Sequence, residues 1–327
     1  MATLKDVAKE AGLTTHTVSR VLNNRGYISD NARKKVDEAV KKLNYHPNEM
    51  ARLLRMKRSN MIGVIVPDIH HPYFAEIISN LESQAYEMGY RIMLCNSQNE
   101  YEKEEEYIRM CISYKVAGLI LFSGLSALEV FDGVDVPIIT IERFLDNGTA
   151  AIECDNKQGG VLAAEELISC GCKNLLYVGN MNTISMPADL RREGFRAVCQ
   201  AKNVQFREFS TEDIQFSELE YSETLENAFR EYPEADGIFA DSDVIAAQAL
   251  QVCRKLKISV PEQMKVIGFD DVYIASLTTP QLTTVHQPIK EMAEIALKMM
   301  QDSLEGKLVA RKTVLPVHVV KRESTGK

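Results

Sequence analysis

From residue 61 onward the chain repeats one pattern, a short and nearly continuous apolar run followed by a stretch with helical spacing. The runs MIGVIVP, YRIMLCN, VAGLILF and VPIITIE, which begin at Met61, Tyr90, Val116 and Val136, alternate with helical stretches such as Tyr73 to Met88 and Tyr101 to Tyr114. Strands that are apolar at almost every position are buried on both faces, which is the mark of parallel β-α-β units. The alternation resumes with NLLYVG, DGIFA and MKVIGF, and the intervening helices begin near Gln158, Pro187, Ser217 and Asp243. Two doubly wound parallel sheets follow. A short LTTV strand between Leu282 and Pro288 leads into a helix, as a chain recrossing to the first sheet would, and VLPVHVV near the end recrosses again. Lobe one then takes about 61–157 and 289–315, lobe two about 158–288 and 316–327, and the cleft between them is where a ligand belongs, because ligands gather at the carboxyl ends of strands in open α/β sheets.

The first 46 residues are different in kind. Leu4, Val7, Ala8 and Ala11 lie at helical spacing on one face, Gly12 suits a left-handed C-cap, and Thr14 offers a capping hydroxyl to a second helix. On that helix Val18, Val21 and Leu22 form the apolar side, so Thr15, His16, Ser19 and Arg20 point outward. A third helix, N-capped by Ser29, buries Val36, Ala39, Val40 and Leu43 and exposes lysines. Charge divides along the same line: residues 1–60 carry 13 Lys and Arg against 6 Asp and Glu, whereas the rest carries 25 against 40. A basic module is joined to an acidic body, which suits phosphate attraction at one end only. Residues 47–60 form a linker in which Asn48 can cap a helix from Glu49 to about Arg55, too short to be stable without a partner.

The segment T-L-x-D-V-A-x-x-A-G-L-T-x-x-T-V-S-R-V-L-N, Thr3 to Asn23, resembles the headpiece of the LacI/GalR repressor family. The resemblance extends through P-N-x-x-A-R-x-L at 47–54 and the stretch 268–288. It implies an all-α helix-turn-helix headpiece joined to an α/β core of the periplasmic-binding-protein kind, with a hinge helix between. It also implies that Thr15, His16 and Arg20 face base edges, that Thr3, Thr14 and Ser19 hold phosphates, and that Thr17 and Asn23 belong to the same DNA-facing set. In the hinge, Asn48 caps, Ala51 permits close approach, Leu54 is levered into a central base step and Arg55 follows the minor groove. GYIS at 26–29, LCNSQN at 94–99 and DNKQGG at 155–160 are similar to the subgroup that includes sucrose-operon repressors.

For the core, the resemblance makes Tyr73 and Phe74 an aromatic wall, places Arg191 of R-x-x-G-F where effector hydroxyls are gripped, makes Asp270 the main ligand acceptor with Ser242 assisting, and aligns Phe216 with a stacking aromatic. Arginine suits the task because its planar fork donates several fixed hydrogen bonds. Asp243 and Asp271 read as helix N-caps, and His71 as an incidental loop residue. Aromatic walls with an Arg and an Asp favour a sugar. A sugar phosphate or a purine-like co-repressor is the alternative, although Ser185 and Pro187 do not offer the Arg and Thr expected of a purine sensor.

Other classes are disfavoured. No apolar run approaches the roughly 20 residues of a membrane span, and the first residues are polar and basic, so the chain reads as cytoplasmic and not as a transport receptor. Cys170 and Cys172 have no second pair to complete a zinc site, and no cofactor is expected. The motifs of nucleotide-binding loops, nucleophile elbows and zinc proteases are absent, so no enzyme is expected. A palindromic operator and a shared hinge demand a two-fold pair, and without a leucine-rich heptad tail a homodimer is expected.

Overall fold

The computed structural model describes residues 2–22, 28–45, 59–122, 128–131, 134–146, 148–181 and 186–326. Asn23, the hinge residues Asn48, Ala51, Leu54 and Arg55, and Ser185 lie outside the described residues. The chain divides into two compact units, Met1–Ser59 and Asn60–Lys327.

In the first unit, α1 (Leu4–Ala11) opens with a reciprocal cap: Thr3 Oγ1 accepts from Asp6 N, and the Asp6 carboxylate accepts from Thr3 N at 2.8 Å. Gly12 ends the helix in the left-handed region, φ 65°, where a Cβ is costly. Thr14 Oγ1 then accepts from Thr17 N at 3.2 Å and starts α2 (Thr15–Leu22). Helix α3 (Asp30–Lys42) is capped by Ser29. Val7, Val18 and Val36 are fully buried where the three helices meet, and Tyr45 closes the cluster.

The second unit holds two six-stranded sheets. The first contains β1 (Met61–Val66), β2 (Arg91–Asn96), β3 (Gly118–Leu121), β4 (Ile138–Ile141), β5 (Ala150–Cys154) and β11 (Lys312–Leu315), in spatial order β11-β5-β4-β3-β1-β2 and parallel throughout. The second contains β6 (Asn174–Asn180), β7 (Gln205–Thr211), β8 (Gly237–Ala240), β9 (Lys265–Asp270), β10 (Thr283–His286) and β12 (His318–Val320), in order β12-β10-β9-β8-β6-β7. Among the described residues only its edge strand β12 runs antiparallel, against β10. The chain passes between sheets after β5, after β10 and between β11 and β12.

Helices α4 (Pro72–Glu87) and α5 (Tyr101–Ser113) follow β1 and β2; α6 (Asn156–Ser169) and α7 (Asp189–Ala201) lie around β6 in sequence; α8 (Asp213–Glu218) and α9 (Ser222–Glu231) follow β7; α10 (Asp243–Leu256), α11 (Ile274–Leu277) and α12 (Ile289–Leu304) follow β8, β9 and β10. Both faces of the first sheet are covered, one by Ile77 and Leu81 of α4 with Met292 and Leu297 of α12, the other by Ile108 and Cys111 of α5. This two-sided cover is why its strands read as unbroken apolar runs. The single helix expected near Ser217 is two helices, because Leu219 takes a left-handed conformation, φ 52°, and ends the first of them. All seven cysteines are free.

Candidate functional site

On the headpiece, α2 turns Val18 and Val21 inward, and helical spacing therefore leaves Thr15, His16 and Arg20 exposed together on the opposite side. Thr14 is also exposed, but its hydroxyl is occupied as the α2 cap and lies 3.0 Å from Thr17 Oγ1. Thr17 and Ser19 are half-buried. The Thr3 hydroxyl donates to the Asp6 carboxylate at 2.7 Å, so its first role is to hold α1 in place.

In the second unit a cavity of about 220 Å³ opens between the two sheets at the carboxyl ends of their strands. That is smaller than the roughly 300–1,000 Å³ typical of drug-sized ligands, and it fits a small ring. Tyr73, Phe74, Arg191, Phe216, Ser242 and Asp270 all line it. Lobe one contributes the aromatic side. Pro72 starts α4, and His71 caps it by accepting Tyr73 N on Nδ1 at 3.3 Å. His71 is buried and stacked on Phe216, centroids 5.6 Å apart and planes 21° apart, with the Phe74 ring edge-on at 5.6 Å. It is therefore no incidental loop residue, because its ring is half of an aromatic stack that joins the lobes. Burial between these rings pushes the imidazole down to about 4, against a rise caused by nearby Asp68. At neutral pH it is uncharged, and with Nδ1 accepting, its proton sits on Nε2.

Lobe two contributes the polar side. Arg191 on α7 is buried and fully oriented: Nε donates to Asn156 Oδ1 at 2.7 Å, Nη1 donates to the Asp241 carbonyl at 2.6 Å, and the guanidinium lies 3.6 Å from the Phe269 ring centre. Its Nη1 is 3.9 Å from Asp270 Oδ1, which also accepts from Gln287 Nε2 at 2.6 Å. Asp270 ends β9 with φ 114°, a conformation that L-residues seldom adopt and that aims its carboxyl at the cavity wall. Burial raises its pKa to about 7, although Arg191 and Gln287 favour the charged form. Asp241 is raised to about 6 for the same reason, opposed first by Arg191. Glu142 is raised by burial as well, while it accepts from Cys154 N at 2.6 Å and Asn156 Nδ2 at 2.7 Å.

Among the described residues, two buried side-chain polar atoms at this cavity have no hydrogen-bond partner, the Tyr73 hydroxyl and Gln287 Oε1. A buried group left unpaired costs about 1–3 kcal/mol, so each is an unmet demand for a hydrogen-bond partner at the cavity.

Ser242 lines the cavity and is also the N-cap of α10, its Oγ accepting from Ile245 N at 3.3 Å. Two sequence expectations are corrected here. Asp243, expected to cap, is instead buried and accepts from Val272 N and Thr284 Oγ1, tying the end of β9 to β10. Asp271 pairs with His286 Nδ1 at 2.9 Å and Arg322 Nη2 at 2.6 Å; burial would raise it, and these two partners hold it low.

Sequence reading misjudged His71 and missed Glu142, Asn156, Asp241 and Gln287. Each lies just beyond a strand's carboxyl end, after β1, β4, β5, β8 and β10 respectively, so the strand-end rule was the available signal.

A family description, bacterial regulatory proteins of the lacI family, matches residues 3–48, and another, periplasmic binding protein-like domain, matches residues 164–325. The sucrose operon repressor of Streptococcus mutans is 34% identical over 324 residues, covering 99% of this chain and 99% of that one. The ribose operon repressor of Halalkalibacterium halodurans is 33% identical over 326 residues, covering 99% of this chain and 97% of that one. The crystal structure of the lac repressor dimer bound to operator and the anti-inducer ONPF matches the fold with a TM-score of 0.86 at 25% identity, over 99% of each chain. Helix-turn-helix unit and two-lobed core are thus matched together, end to end, in single relatives a third identical, and the chain belongs to the LacI family of bacterial regulatory proteins.

Proposed function

We propose that this chain is a sequence-specific DNA-binding repressor whose grip on a palindromic operator is released by a small carbohydrate seated between the two lobes. One observation carries the effector half: aromatic rings of Tyr73 and Phe74 from lobe one, with the His71–Phe216 stack that joins the lobes, stand beside a preoriented Arg191–Asp270 pair from lobe two. A sugar ring has apolar faces for the first and hydroxyls for the second. The repressor half is supported by the headpiece, where Thr15, His16 and Arg20 form an exposed set on α2, suited to base edges in the major groove. Thr3, Thr14 and Ser19 lie toward the phosphates in this reading, and Thr17, Asn23 and Asn48 complete the DNA-facing set.

Two chains pair on the operator, and the hinge residues Ala51, Leu54 and Arg55 order as a helix in the minor groove only when both are present. Sugar closes the lobes, shifts one first lobe against the other, and melts the hinge. The chain works in the cytoplasm, where the operator is, and catalyses no reaction. Linkage makes the switch reciprocal: the factor by which sugar weakens operator binding is the factor by which operator weakens sugar binding, commonly about 1–3 kcal/mol.

The test is a gel shift on a palindromic operator with free sugar titrated in. Wild type is expected to release DNA, and Asp270→Ala to bind DNA as tightly but ignore sugar. A protein that binds sugar and no DNA would be a receptor, and an Asp270→Ala protein that releases normally would remove Asp270 from the site.

A further inference from the structure

We infer that the interlobe cavity takes an unphosphorylated, uncharged sugar and rejects the corresponding sugar phosphate. The inference rests on the carbohydrate reading above and narrows it. The argument is one of charge. Four carboxyl groups line the cavity, Glu142, Asp189, Asp241 and Asp270, against one guanidinium, Arg191, and among the described residues no lysine does. Segments 123–127 and 182–185, outside the described residues, contain neither lysine nor arginine.

A bound phosphate ester carries a charge of about −1.5 to −2 and three strong acceptor oxygens, so it needs cations or several free N–H donors. Arg191 is poorly placed to serve. Two of its five N–H donors are used, Nε on Asn156 and one on Nη1 on the Asp241 carbonyl, and its single charge is already shared with Asp270 at 3.9 Å. His71, the other nitrogen base at the wall, is buried between Phe74 and Phe216 and kept neutral by that burial. The site already strains to hold its own negative charge, since burial raises Asp241 to about 6 and Asp270 to about 7. Adding a dianion there compounds the cost of burying unpaired charge.

Hydroxyls suit the same atoms. Gln287 Oε1 is a buried acceptor waiting for a donor, and the Tyr73 hydroxyl is a buried group able to do either. Uncharged hydroxyls donate to Asp270 and Gln287, accept from Tyr73 and His71 Nε2, and add no charge.

The experiment is calorimetric titration of the full chain with D-ribose, D-fructose and sucrose, each beside its own ester: ribose 5-phosphate, fructose 6-phosphate and sucrose 6-phosphate. For whichever sugar binds, the ester is expected to bind at least tenfold more weakly. Asp241→Asn and Glu142→Gln each remove one negative charge at nearly constant shape, and each should narrow that gap, circular dichroism melting serving to show that the variants fold. An ester that binds as tightly as its parent sugar, or more tightly, overturns the inference while leaving the carbohydrate reading intact. A gap unchanged in both folded variants overturns the charge argument on which the inference rests, because exclusion would then be steric. If none of the six compounds binds, the carbohydrate reading falls and takes this inference with it.

Discussion

Replacing Gly160 with alanine separates two opposed physical effects. Gly160 lies inside α6, where alanine is favoured over glycine by about 0.5–1 kcal/mol, so helix propensity alone predicts a more stable protein. Packing predicts the reverse. A Cβ on Gly160 falls 1.8 Å from the Arg191 carbonyl oxygen and 2.9 Å from Phe195 N, and one on Gly194 of α7 falls 2.0 Å from the Lys157 carbonyl oxygen. Since Cβ contacts under 3.0 Å essentially do not occur, the two helices must part from 1.8 Å to at least 3.0 Å at this point. The obstacle is backbone, which no rotamer change relieves. Gaps of 0.5–1 Å already forfeit about a quarter to a half of the dispersion energy across an interface, and here Ala163, Leu167, Phe195 and Cys199 form it. Overpacking of this kind costs about 3 kcal/mol, the upper end of the usual range; less the propensity gain, about 2 kcal/mol of destabilisation remains. At about 2–4 °C per kcal/mol the unit should melt about 4–8 °C lower. The same displacement moves the backbone that carries Arg191, so its 2.7 Å bond to Asn156 is lost and sugar affinity should fall at least tenfold. Urea unfolding followed by circular dichroism reads the first effect as a lower midpoint at unchanged slope. A Gly160→Ala protein as stable as wild type, or more so, would refute the backbone-contact argument.

Two further outcomes are expected. Removing the α2 cap with Thr14→Ala should destabilise the headpiece by about 1 kcal/mol and weaken operator binding at every sequence alike, whereas Thr14→Ser should restore both; a change in base preference on gel shift would instead place Thr14 at a base edge. Burial raises the folded-state pKa of Asp270 from the ordinary 3.8 to about 7, so its contribution to stability is complete below the unfolded value, declines as pH rises, and is gone above about 7. His71, lowered to about 4, acts in the opposite sense and loses its contribution as pH falls from 6.5 toward 4. The drop in melting temperature between pH 5 and pH 7.5 should therefore shrink in Asp270→Asn, and an unchanged drop would mean that Asp270 is not the group responsible.

How far the fold could be read from sequence depended on where each strand sits. Central strands such as β1, β3 and β9 are buried along nearly their whole length, and their apolar runs stood out. Strand β7 did not, because it is a sheet edge whose burial alternates, with Gln205, Arg207 and Ser210 facing out, and edge strands carry polar residues. Strand β5 was also missed. It is central, but its five residues include two alanines and Glu153, whose charge is carried by Lys312 at 2.8 Å from the neighbouring strand β11, a pairing that sequence order cannot show.

The site was legible in part for the same reason. Tyr73, Phe74, Arg191, Phe216 and Asp270 were found through family motifs, and the structure brings them to one cavity, yet the motifs gave no account of why they converge. Glu142 and Asn156 are 14 residues apart but in contact, because β4 pairs with β5 and both end at the cleft. The DNKQGG and R-x-x-G-F motifs are a sharper case, since each reads alone as a loop and a helix face. In the structure they are one device. Gly160 of the first makes room for the Arg191 carbonyl of the second, Gly194 of the second makes room for the Lys157 carbonyl of the first, and only at that backbone-to-backbone distance does Arg191 Nε reach Asn156. The glycines therefore act on the cavity although they do not line it, and their role is visible only when two segments 30 residues apart are placed face to face.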